Sequence, residues 1–172
     1  DVSEASDSRR LIASVRHELP RVRGVWHAAG VLADGLLPNQ DCRKLSRVYA
    51  PKAHGASLLS MVSAALDLRA SVQYSSVAAL LGGAGQSNYA AASVCLDALA
   101  TCRRGLGKVG VSVQWGAWAE LGMASRGAAS ARMSAIEASS GFGRVSLSYG
   151  LSALHMSLHS SGASVVGVVL VS

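Results

Sequence analysis

Runs of apolar residues alternate between helical and strand spacing along the chain. Leu11, Ile12, Val15 and Leu19 fall on one face of a helix that follows a polar start at residues 3–7 and that Pro20 ends. Residues 22–28 are short and apolar and predict a strand, after which Ala29-Gly30 lets the backbone turn close to a ligand. Residues 40–50 predict a second helix, and Pro51 suits the first turn of a third that carries Lys52 and runs to about residue 66. A strand is predicted at 70–75. Beyond the glycine-rich 82–85, residues 86–102 are rich in Ala and Leu without internal Gly or Pro, which predicts a helix opened by Tyr89. A strand at 109–115, a small-residue helix or mobile lid at 126–139, a helix at 147–158 and a final buried strand at 164–171 complete the pattern. Such alternation indicates a parallel α/β sheet.

The bulk properties narrow the class. With 172 residues, 50% of them hydrophobic, and a mean hydropathy of +0.32, one domain with a sizeable core is expected. The chain opens on Asp1 without a basic-then-apolar stretch, so no secretory signal is read and it looks like a piece of something longer. Its longest apolar run, 165–171, is broken by Gly167 and falls far short of the roughly 20 residues a membrane helix needs. A soluble, cytoplasmic protein with no membrane partner is expected. Cys42, Cys95 and Cys102 form no CxxC pair and are odd in number, which fits a reducing compartment, and Cys95 reads as core.

Sixteen Lys and Arg against ten Asp and Glu give a net charge of +6 and a pI near 9.7. Phosphates reward clustered cations, yet the densest spots are only Arg9-Arg10 and Arg103-Arg104, and eight aromatics offer little base-stacking surface. A solvated basic face, not a nucleic-acid site, is the expectation. His155 and His159 sit four apart on a predicted helix without a third ligand, so exposed histidines and no metal are expected.

Two stretches imitate a dinucleotide loop. Gly105-Leu106-Gly107-Lys108-Val109-Gly110 follows a helix and precedes a strand, the reverse of the required order, and reads as a helix-ending turn. Gly83-Ala84-Gly85 has the right order, but Asn88 stands at the third glycine position. Neither is a pyrophosphate loop. More telling are Lys52, Ser76 and Tyr89. A phenol that gives a proton to a substrate oxygen profits from a neighbouring cation, since an unassisted Tyr holds its proton until about pH 10. A hydroxyl such as Ser76 can meanwhile hold the same oxygen.

Four blocks extend this trio: His27-Ala28-Ala29-Gly30-Val31-Leu32, then 50–56 around Lys52, then Tyr74-Ser75-Ser76 through Ala92, and finally 115–123 with Trp115, Gly116, Ala117, Trp118 and Met123. In this order and register the chain resembles the ketoreductase domains of modular polyketide and fatty-acid synthases, a branch of the short-chain dehydrogenase/reductase superfamily. Lys52 precedes Ser76 by 24 residues and Ser76 precedes Tyr89 by 13, as in that pattern. The resemblance implies a Rossmann-like parallel sheet with flanking helices, incomplete because its first strands and Gly-rich phosphate loop precede Asp1. Residues 1–172 are then the C-terminal part of one ketoreductase catalytic domain, binding nucleotide poorly alone.

The same resemblance implies roles. Tyr89 protonates the forming alkoxide, Ser76 orients it, and Lys52 lowers the Tyr pKa and holds the nicotinamide ribose of NADPH. Ser93, four residues after Tyr89, stands where the family usually carries Asn and is a weaker fourth catalytic member. Asp1 and Val2 lie beside the adenine, while Ala28, Ala29, Gly30, Gly116, Ala117 and Trp118 line the cofactor pocket. Leu32-Ala33-Asp34 looks like the Leu-Asp-Asp signature of one stereochemical class, and Leu81 replaces the Trp of the other. His27 reads as a buried strand-end histidine with no catalytic task. The substrate is a β-ketoacyl thioester on the phosphopantetheine arm of an acyl carrier protein, among other synthase domains. The competing reading is a non-catalytic structural domain of the same synthase.

Overall fold

The computed structural model describes residues 1–18, 21–120, 141–159 and 162–171. In chain order these form α1 (Ala5–Glu18), β1 (Gly24–His27), a 3-10 turn (Leu37–Asn39), α2 (Cys42–Tyr49), a π-helical turn (Ala50–His54), α3 (Gly55–Val62) and β2 (Ala70–Ser76). There follow α4 (Ala78–Leu81), α5 (Ser87–Gly105), β3 (Val111–Trp115), β4 (Phe142–Gly143), α6 (Leu147–His159), β5 (Val165–Val168) and β6 (Leu170–Val171). Among the described residues the main sheet has the order β1-β2-β3-β5, all parallel.

The sheet is Rossmann-like, with helices on both faces, as the alternation and the resemblance implied. Trp26 pairs in register with Val72, Val72 with Val111, and Val113 with Val166.

Side chains alternate across a strand, so β2 and β3 have two different faces. One is apolar: Val72, Val111, Val113, Trp115 and Val168 form the core with Val145, and Trp118, Ala153 and Leu154 pack against it. The other is polar and buried, with Ser71, Gln73 and Ser75 on β2 beside Ser112 and Gln114 on β3. Buried polar groups need partners. Helix α5, which packs on β2 and β3, supplies three of these: Ser75 Oγ donates to the Ser93 carbonyl at 3.2 Å, while Ser112 Oγ and Gln114 Nε2 donate to the two Asp97 carboxylate oxygens at 2.6 and 2.8 Å.

Several expectations change. The helix predicted to begin at Pro51 is not separate, because Ala50 is helical and α2 runs through the π-helical turn into α3, which ends at Val62 and not near 66. Pro51 offers no N–H to an ordinary helical hydrogen bond, and a widened turn accommodates the gap without ending the helix. Cys95 is exposed, not core, since α5 turns Tyr89, Ala92, Ser93, Leu96, Ala100 and Arg103 inward and Cys95 falls outside that stripe. Leu11 is also exposed, and Ser8 and Ile12 make the buried face of α1.

The final strand is neither single nor fully buried. It breaks at Val169 into β5 and β6, and β6 leaves the main sheet to pair antiparallel with β4, with Val171 exposed. Helix α4 and the 3-10 turn are additions, and α5 extends to Gly105, where Gly107 at φ 69° closes the helix-ending turn. Leu19, Pro20, Met123 and the 126–139 segment lie outside the described residues. No described helix is long and apolar enough to cross a membrane, and the described residues contain no metal-binding cluster; His155 and His159 are exposed and stack on each other.

Candidate active site

Parallel strands all end on one edge, and loops leaving that edge are where such sheets bind ligands. Ala28, Ala29 and Gly30 leave β1 there, Ser76 ends β2, and Gly116, Ala117 and Trp118 leave β3. The π-helical turn brings Lys52 and α5 brings Tyr89, both buried, with the Lys52 Nζ 3.9 Å from the centroid of the Tyr89 ring. Val48, Ala78 and Ala92 complete the cluster around Tyr89, with Leu32, Ala33, Tyr49 and Ala90 at its border.

Burial dominates the titration of both groups. It pushes the Lys52 amine down to about 8, against the opposing pull of the Asp97 carboxylate, and pushes the Tyr89 phenol up to about 12, helped by Asp34. The amine therefore loses its proton before the phenol does. Lys52 is a cation at neutral pH, but burial outweighs any acidification of Tyr89, which remains a protonated acid.

The two serines of β2 face opposite ways. Ser75 is committed to the Ser93 carbonyl, whereas Ser76 Oγ accepts from the Ala78 N–H at 3.2 Å, which leaves its own proton to donate. Ser93 is fully buried and its hydroxyl donates to the Tyr89 carbonyl at 2.8 Å, so its proton is held by the helix backbone. Val2 lies against the start of α3: a Cβ on Gly55 would stand 2.8 Å from Val2 Cγ2 and 3.4 Å from His27 Cε1. Asp1 is exposed at the start of α1, its carboxylate receiving the Ser3 N–H and hydroxyl at 2.9 Å. Gly116 approaches β5 so closely that a Cβ would be 3.1 Å from the Val168 carbonyl. Trp118 stacks on Trp115 with centroids 4.9 Å apart and covers Gly150 of α6, so its ring serves the core.

Residues 1–120 match the family model of the KR domain. The chain belongs to the KR domain family. It is 44% identical over 134 residues, 78% of its length, to polyketide synthase GfsB of Streptomyces halstedii, and 45% identical over 122 residues, 71% of its length, to the spectinabilin polyketide synthase system protein NorB of Streptomyces orinoci. It spans only 2% and 6% of those relatives. The ketoreductase PlmKR1 from the first module of phoslactomycin biosynthesis in Streptomyces sp. HK803 superposes with a TM-score of 0.89 at 35% identity, over all of this chain and 38% of that one.

Three further residues of this KR-family chain support the site, and sequence reasoning gave none of them such a task. His27 holds the π-helical turn: a carbonyl only accepts, so His27 Nε2 carries the proton it donates to the Lys52 carbonyl at 2.9 Å. Burial holds His27 below the ordinary histidine pKa, which keeps the ring neutral. Asp97 fixes α5 to β3 and supplies the charge that opposes deprotonation of Lys52. Its signal was positional, because Tyr89, Ser93 and Asp97 lie four apart on one face of the KR-domain helix. Asn88 bonds both to α5 and to the loop after β1.

Proposed function

We propose that this chain carries the acid half of a carbonyl reduction, within a ketoreductase domain acting on a β-ketoacyl thioester held by an acyl carrier protein. The observation that carries the reading is the buried ammonium of Lys52 on the ring of Tyr89, at the carboxyl edge of a KR-family sheet.

A reduced nicotinamide nucleotide, NADPH in this reading, suits the groups present. Lys52 and Tyr89 offer donors for ribose hydroxyls, and the small residues Ala28, Ala29 and Gly30, which follow β1, expose backbone rather than bulky side chains. These residues, with Gly116, Ala117 and Trp118, would hold its nicotinamide end, and Asp1 and Val2 would flank the adenine. When bound, the nucleotide supplies the hydride. Ser76 donates its free proton to the substrate oxygen and fixes it, and Tyr89 transfers its phenolic proton as that oxygen gains charge. Lys52 keeps the phenol in a positive field and offsets the charge left behind. The basic surface favours an acidic carrier protein at the approach.

The test is nicotinamide oxidation by the full-length protein with a carrier-bound β-ketoacyl thioester. Tyr89→Phe is expected to lower the rate about 10²- to 10⁴-fold; an unchanged rate rejects the assignment. Ser93 favours a second reading, a non-catalytic structural domain, because its proton is already taken by the Tyr89 carbonyl. A full-length protein without turnover on any such thioester supports that alternative.

A further inference from the structure

Helices α1 and α3 pack side by side and leave an open groove of about 390 Å³ between them. Its floor is apolar, made by Ile12 of α1 with Leu58 and Met61 of α3, and Ala13 is too small to fill it. Arg9 and Arg16 stand on the α1 rim, both exposed. At about 100° per residue, Arg9, Ile12, Ala13 and Arg16 share an arc of about 100°, while Glu4, Asp7 and Glu18 fall on the other side of the helix. The acids of α1 therefore do not neutralise the rim: Asp7 pairs with Arg10 at 3.9 Å, and Glu18 accepts the Ser14 hydroxyl at 2.8 Å. Among the described residues neither Arg9 nor Arg16 forms an ion pair. Met61 is 72% exposed, and a flexible thioether at the surface suits a contact that adapts to a partner.

We propose that this groove docks an acidic amphipathic helix from another domain of the same synthase, with an apolar side chain seated on Leu58 and Met61 and a carboxylate on each arginine. Arg9 and Arg16 lie seven residues apart, about 10 Å along the axis, so the matching carboxylates stand two turns apart on the partner helix. The chain spans only 2% and 6% of its polyketide synthase relatives, and a domain tethered in the same polypeptide reaches such a surface at high effective concentration without a large interface. A small molecule would stay largely in water here, because the groove is open along Met61. Nucleic-acid bases find no stacking platform, since no aromatic side chain lines it. None of these residues belongs to the Lys52 and Tyr89 site, so the docking rests on the family assignment and not on the catalytic reading.

The test places a photoreactive benzophenone amino acid at Met61 of the full-length protein. On illumination it is expected to link to a segment of another domain that carries two Asp or Glu about seven residues apart, identified by mass spectrometry of the digest. Arg9→Glu combined with Arg16→Glu is expected to cut the yield of that link about tenfold. Arg9→Gln combined with Arg16→Gln serves if the reversal does not fold. Ala13→Trp, which fills the groove and leaves the rim charges in place, is expected to cut the yield by a similar factor. No link, a link confined to the ketoreductase domain, a link to the groove of a second copy, or a link to a segment without acids overturns the docking site. A yield that the rim substitutions leave unchanged overturns recognition by charge, and one that Ala13→Trp leaves unchanged overturns the groove. The linking result decides the matter whether or not the protein turns over a thioester.

Discussion

The Lys52 ammonium lies over the face of the Tyr89 ring, 3.9 Å from its centroid, although 37 residues and two different helical segments separate them in the chain. Their order of titration follows from this shared burial. Lys52 at about 8 is neutral well before Tyr89 at about 12 loses its proton.

The alkaline limb of the rate profile therefore belongs to Lys52. Reduction is expected to decline as pH rises through about 8, where the cation disappears, and not near the phenol's value. Lys52→Arg keeps a permanent charge and moves the limb upward. A wild-type limb above pH 10 in kcat/KM measurements of the full-length protein rejects this assignment.

Stability responds with the opposite sense. Because the folded-state pKa of Lys52 lies below its ordinary 10.5, the unfolded chain binds more protons between about 8 and 10.5, and stability from this group rises with pH across that window. The gain approaches about 3 kcal/mol when complete. Urea melts at pH 7.5 and 10 should show the rise in wild type and its loss in Lys52→Met.

Asp97→Asn leaves the shape of the side chain but removes the charge that receives Ser112 and Gln114. A destabilisation of about 1–3 kcal/mol is expected in denaturant melts. The alkaline limb should also move to lower pH, since Asp97 favours the charged form of Lys52. Loss of stability with an unmoved limb would confine Asp97 to packing.

Ser93→Ala removes a hydroxyl whose proton goes only to the Tyr89 carbonyl, which keeps its place in the helix. Turnover within about threefold of wild type and a stability change below about 1 kcal/mol are expected. A hundredfold loss of turnover would show that Ser93 takes part in proton supply.

The sheet was legible because its strands alternate with helices in a regular order, and the pairing of Lys52 with Tyr89 because spacing and motif register single out those residues. What sequence alone missed depends on three dimensions. Pro51 carries a helix-start signal, yet the widened turn lets the helix continue, with the Lys52 carbonyl held by His27 at the end of β1. Cys95 has the composition of a core residue, but its angle around α5 decides its exposure. Asn88 and Asp97 act through partners on the loop after β1 and on β3, which no local pattern reveals.

The widened turn at Ala50–His54 has a consequence for insertions and deletions. Each residue of a regular helix advances by about 100°. Excising a single residue here would restore ordinary winding and leave α2 and α3 in phase, but it would turn Lys52 away from the Tyr89 ring. Length in this five-residue stretch is thus as constrained as the identity of the amine it carries.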